Sequence, residues 1–105
     1  MFHVNDHTFK TEVLENPEPV LVMFYANWCN KCAMMKPVVE ELETRYDGIY
    51  KFCSVDIEES QVLASEYDTD IVPAFAFFNG GIQTAEFSGM VSEDIFEARL
   101  KEVFH

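Results

Sequence analysis

Apolar positions along this chain alternate between continuous runs and a helical repeat, and the switches between the two mark out its elements. A short apolar start at Phe2-His3-Val4 predicts a strand. Asn5 or Asp6 then offers a side-chain cap to a first helix running to about Glu15, with Phe9, Val13 and Leu14 on its apolar side. Asn16-Pro17-Glu18-Pro19 stops it. Val20-Leu21-Val22-Met23-Phe24-Tyr25 is an unbroken apolar run rich in β-formers, the pattern of a central strand covered on both faces. From about Cys29 to Arg45 the residues Met35, Val38, Val39, Leu42 and Tyr46 recur at helical spacing. Pro37 predicts a kink there, and Gly48 a stop.

Tyr50 to Val55 predicts a further strand, Ser60 to Tyr67 a helix, and Ala74 to Phe78 another strand. Asn79-Gly80-Gly81 is a strong turn signal leading into Ile82 to Ser88, which makes an antiparallel hairpin. Ser92 caps a last helix that has Glu93 and Asp94 in its first turn and Ile95, Phe96, Leu100, Val103 and Phe104 on its core side. The order βαβαβαββα predicts an α/β fold: a central mixed sheet, parallel crossovers first and a hairpin after, flanked by helices. No repeat, low-complexity stretch or linker interrupts it, so residues 1–105 are expected to form one domain.

Nineteen acidic against seven basic side chains leave a formal charge of −12, which disfavours nucleic acid and anionic lipid as partners and suits neutral or basic ones. The acids are spread out, as on a solvated surface that aids solubility. Three cysteines do not make a secreted disulfide scaffold, and a reducing compartment fits them better. The opening residues Met1-Phe2-His3-Val4-Asn5-Asp6 show no basic stretch followed by an apolar one, and no apolar run reaches spanning length. Unless a targeting segment has been removed, a cytoplasmic protein is expected, without membrane contact and acting as a monomer.

Trp28-Cys29-Asn30-Lys31-Cys32 falls between the central strand and the helix that follows. Cys29 is thereby placed at or just before the helix amino terminus, where unpaired N–H groups and the helix dipole favour a thiolate, the attacking species in disulfide exchange. Cys32 follows by about one helical turn, close enough to close a disulfide. Half a zinc site is the competing reading of the motif. Its second half is absent, because Cys53, His3, His7 and His105 have no suitable spacing, so no metal is expected.

The segment Val20 to Cys32, Pro37 in the helix, Val55-Asp56, Ile71-Val72-Pro73-Ala74-Phe75, Asn79-Gly80 and Phe87-Ser88-Gly89 together make the chain resemble the thioredoxin family from end to end. The resemblance implies the thioredoxin fold and a protein-disulfide reductase. Cys29 would attack a target disulfide and Cys32 would resolve the mixed disulfide, with no bound cofactor beyond the redox-active pair. A flavoprotein thioredoxin reductase drawing on NADPH would return the electrons. It also implies a cis bond between Val72 and Pro73 beside Cys29, with the Val72 backbone pairing an extended stretch of substrate. Trp28 would cover part of the site, its plain alternative being a core aromatic, and Gly89 would allow close backbone approach near the groove.

Two positions depart from the family pattern. Asn30-Lys31 replaces the usual Gly-Pro, and a Lys31 ammonium beside the thiolate would stabilise the reduced form and make a stronger oxidant, unless it simply points into water. Met23 occupies the place of a buried aspartate that helps move the proton of the resolving cysteine, leaving that step to water or another group. These departures keep two alternatives in view, a disulfide oxidase or isomerase and a non-catalytic binding module, which could bridge an iron–sulfur cluster between two chains. Pro73 beside Cys29 speaks against the cluster. A glutaredoxin role is disfavoured by the scarcity of basic residues for glutathione carboxylates. Cys53, in a strand, is expected to be a small buried hydrophobe.

Overall fold

The computed structural model describes residues 1–104. The elements follow the expected order: β1 (Phe2–His3), a short helical segment (Lys10–Leu14), β2 (Val20–Tyr25), α1 (Asn30–Arg45), β3 (Lys51–Asp56), α2 (Gln61–Glu66), β4 (Ala74–Asn79), β5 (Ile82–Ser88) and α3 (Glu93–Phe104). The five strands form one sheet in the order β1-β3-β2-β4-β5. β1 and β2 both run parallel to β3, whereas α2 returns the chain so that β4 lies antiparallel to β2, and β5 then pairs antiparallel with β4.

The continuous apolar run of β2 is explained by its place at the middle of the sheet. Val20, Val22 and Phe24 enter one core with Phe9, Val13, Cys53, Val55, Leu63 and Phe78. Leu21 and Met23 enter the other, with Cys32, Met35, Val39 and Leu42 of α1 and Phe96 and Leu100 of α3. The sheet thus separates two apolar layers, and Cys32 and Cys53 lie on opposite sides of it. At its far end α1 is tied to α3 by Arg45, which pairs with Glu93 and Glu97, and by the Tyr46 hydroxyl, which donates to Glu97.

Several local expectations are corrected. Asn5 Oδ1 accepts from the N–H groups of His7 and Thr8 in the turn that leads into the first helical segment, whose own N-cap is Phe9, and the segment winds as a π-helix, with Glu15 N donating to Lys10 O at 2.9 Å. The wider turn keeps Phe9 and Val13 in the core and turns Leu14 outward, against its predicted core side. Ile95 likewise faces solvent, while Phe96 and Leu100 carry the α3 contact. The α2 N–H groups of Val62 and Leu63 donate to Asp6, from far away in sequence, and the hydroxyl of Ser60 is buried without a partner. α1 continues from Asn30 to Arg45 with Pro37 inside it. Ser92 caps α3 as expected, its Oγ accepting from Ile95 N.

The β4–β5 turn has φ of +59° at Gly80 and +82° at Gly81, as a two-residue type I′ hairpin needs. At Gly81 there is also no room: a Cβ would run into the backbone carbonyl of Leu14 on the π-turn, whereas one at Gly80 would meet nothing. Gly81→Ala is therefore expected to destabilise the protein by more than about 1 kcal/mol and by more than Gly80→Ala does, read from urea unfolding midpoints.

Candidate functional site: a dithiol at the head of α1

β2 ends at Tyr25 and the chain reaches α1 through Ala26, Asn27 and Trp28. Ala26 is buried and its carbonyl accepts from Cys29 N at 3.2 Å, while Asn27 holds the loop to β3 through Asp56 at 3.3 Å. Cys29 is the N-cap of α1, with φ −90° and ψ 110°. Its sulfur does what a capping serine oxygen would do, accepting from the Cys32 N–H at 3.1 Å. Placed there, the sulfur takes the Cys32 N–H that no carbonyl of the helix reaches, at the amino end of a sixteen-residue helix.

The loop before β4 closes over the same sulfur. The Val72–Pro73 peptide is cis, and the Cys29 thiol donates to Val72 O at 3.6 Å. Gly89 is joined to this loop by its N–H, which donates to Pro73 O at 2.8 Å. A Cβ at Gly89 would meet nothing within the chain; its φ of +96°, and not crowding, calls for glycine. Trp28 is 68% exposed, which excludes the core-aromatic alternative. Ile71 and Met90, neighbours of Val72 and Gly89 in the chain, are exposed as well and were given no role from the sequence.

Lys31 is exposed and makes no hydrogen bond or ion pair among the described residues, which agrees with the reading in which it points into water. Met23 is buried, opposite Ser54 on β3 and Phe75 on β4, in the same apolar layer as Cys32. No carboxylate stands in its place. A cleft of about 410 Å³ nevertheless reaches the site from this side and is lined by Met23, Tyr25, Cys29, Cys32, Lys36 and Glu40 among others. Lys36 and Glu40 were not singled out from the sequence, although Lys36 follows Cys32 by four residues and so shares its helical stripe.

All three cysteines are free thiols, and their environments differ. Cys29 is half-buried; Cys32 is buried, and burial together with its hydrogen bond to Cys29 pushes its thiol up to about 12. Burial pushes Cys53 up to about 11. Among the described residues, no group of three His, Cys, Asp or Glu side chains is placed to hold a metal ion.

A half-buried thiol at a helix N-cap, a second thiol one turn on, and a cis-proline loop against the first together define a thiol–disulfide oxidoreductase site. The thioredoxin family model matches residues 1–102. Thioredoxin 1 of a Nostoc species is 37% identical over 94% of this chain and 92% of its own length. Thioredoxin-1 of Caenorhabditis elegans is 33% identical over 90% and 83%, and a chloroplastic M-type thioredoxin of Chlamydomonas reinhardtii is 41% identical over 84% and 63%. The chain belongs to the thioredoxin family.

Two measurements follow from the thiol environments. Iodoacetamide at neutral pH is expected to label Cys29 in the native protein and to reach Cys32 and Cys53 only after unfolding, as mass spectrometry of digested peptides reports. The second concerns pH. Native Cys53 keeps its proton up to about pH 11, while an unfolded thiol releases it near 9.0. The stability Cys53 contributes is thus complete below pH 9.0 and is lost as pH rises towards 11, by up to about 2–3 kcal/mol, and Cys53→Ala should flatten that decline in denaturant unfolding.

Proposed function

We propose that this protein reduces protein disulfides by a dithiol cycle, Cys29 acting as nucleophile and Cys32 as resolving thiol. The observation that carries the reading is the placement of the Cys29 sulfur, which is held at the N-cap of α1 and faced by the Val72 carbonyl. An extended target segment laid against the Val72 backbone brings its disulfide to Cys29. Trp28, Ile71 and Met90 offer apolar surface on the loops around it. Attack forms a mixed disulfide and expels one target thiolate. Cys32 then attacks the Cys29 sulfur, expels the second, and leaves the oxidised pair.

The partners in this reading are disulfide-containing proteins and a thioredoxin reductase that passes electrons from NADPH to the oxidised pair, with the protein acting as a monomer. A reducing, cytoplasmic setting suits three free thiols. One of the relatives is chloroplastic, so the compartment is to be established by localising the tagged protein.

The test is NADPH-coupled reduction of insulin by the purified protein with a thioredoxin reductase. Turnover is expected in the wild type and at background level in both Cys29→Ser and Cys32→Ser, with Cys32→Ser alone accumulating a mixed disulfide that is visible on non-reducing gels. A wild type that dithiothreitol reduces readily but that gives no turnover would sink the general reductase reading. It would direct attention to an oxidant, through its reduction potential, or to a binding module, through its iron content and captured partners.

A further inference from the structure

In the resolving step Cys32 must lose its proton inside an apolar layer that it shares with Met23, where its thiol is pushed up to about 12. A cleft that Cys32 lines together with Lys36 and Glu40 opens beside this thiol and is large enough to hold water. We infer that Lys36, across this cleft, favours the Cys32 thiolate and thereby sets the rate of resolution; the inference rests on the dithiol cycle proposed above.

The groups facing Cys32 in the cleft come from every element around it. β2 contributes the Tyr25 hydroxyl and the uncharged Met23; β3 contributes the Ser54 hydroxyl; α1 contributes Cys29, Lys36 and Glu40. The amino group at Met1 also borders the cleft, but Glu43 holds it at 2.9 Å. Lys36 makes no hydrogen bond or ion pair among the described residues, even with Glu40 one turn further along α1. It is thus the cation of the cleft whose charge is not already spent on a carboxylate. Residues four apart on a helix share a face, with Cβ atoms about 5–6 Å apart, so Lys36 and Cys32 border the cleft from one stripe of α1. Glu40 has the opposite sign and would oppose the thiolate.

The step balances as follows. Cys29 thiolate attacks the target S–S bond, forming a mixed disulfide and releasing one target thiolate, which takes a proton from solvent. The Cys32 thiol gives its proton to water in the cleft. Its thiolate, stabilised by Lys36, attacks the Cys29 sulfur, and the second target thiolate leaves and is protonated. Two electrons pass from the dithiol to the target.

The test uses the reduced, full-length protein and dithiodipyridine, an uncharged disulfide, in stopped flow from neutral to mildly alkaline pH. The first thiopyridone released reports attack by Cys29, and the second reports resolution by Cys32. Lys36→Met is expected to leave the first phase unchanged, to slow the second about tenfold at neutral pH, and to displace its pH profile about one unit to the alkaline side. Lys36→Arg should restore the wild-type profile, and Glu40→Gln should leave the second phase unchanged or faster. Coincidence of Lys36→Met with the wild type in the second phase overturns the inference, as does slowing by Glu40→Gln, which would make Glu40 the proton acceptor. A wild type that shows the first phase and no second overturns the dithiol cycle itself, and with it the role of Lys36.

Discussion

The structure depends above all on β2 being buried on both faces. Because Val20, Val22 and Phe24 point into one apolar layer and Leu21 and Met23 into the other, the strand cannot slip by one residue without exchanging its two faces. Its end at Tyr25 is therefore fixed, and so, beyond Ala26, Asn27 and Trp28, is the N-cap of α1 at Cys29. Placement of the Cys29 sulfur at a helix N-cap is thus inherited from the most constrained element of the sheet. The same strand supports the second half of the site, since β4 pairs with it from Phe24↔Ala74 onward and so sets the Val72–Pro73 loop beside the sulfur.

What was legible in the sequence was what depends on short-range pattern. The β2 run, the strand-to-helix position of Cys29 and Cys32, the hairpin turn at Gly80-Gly81 and the Ser92 cap each involve residues close together in the chain. The cis peptide at Val72–Pro73 was legible only through family resemblance, since an X-Pro pair by itself does not specify its isomer. What was missed depends on contacts between distant segments. Asp6 caps α2 across more than fifty residues, a pairing that no local pattern announces. The π-turn that exposes Leu14 sits against Gly81 of the hairpin and is held by Lys51, whose ammonium donates to Glu12. Lys36 and Glu40 look like ordinary solvent-facing helix residues until the cleft behind Cys32 is seen.

Burial divides the work between the two thiols. Cys29 is accessible and lies against backbone donors, conditions that suit attack on an incoming disulfide. Cys32 is covered and holds its proton, which protects it from oxidants and alkylating agents but would also slow it as a nucleophile. In the proposed cycle, once Cys29 is joined to a target its sulfur no longer donates to Val72 and accepts more weakly, so its hold on the Cys32 proton is reduced. Formation of the mixed disulfide therefore itself eases the ionisation that resolution requires.

Met23 makes this division sharper. A carboxylate at that position would itself need desolvation and a partner, costs that fall on folding whatever its use in catalysis. A methionine removes them and contributes to the apolar layer shared with Met35, Val39 and Phe75. The consequence is that, among the described residues, no carboxylate occupies that position beneath Cys32, and the cleft on the α1 side is where polar groups come beside its thiol. In the dithiol cycle proposed above, charge on that side is the variable left for tuning resolution. It lies on the exposed stripe of α1, where substitutions leave the core intact, so stability and the rate of the resolving step can change independently in this chain.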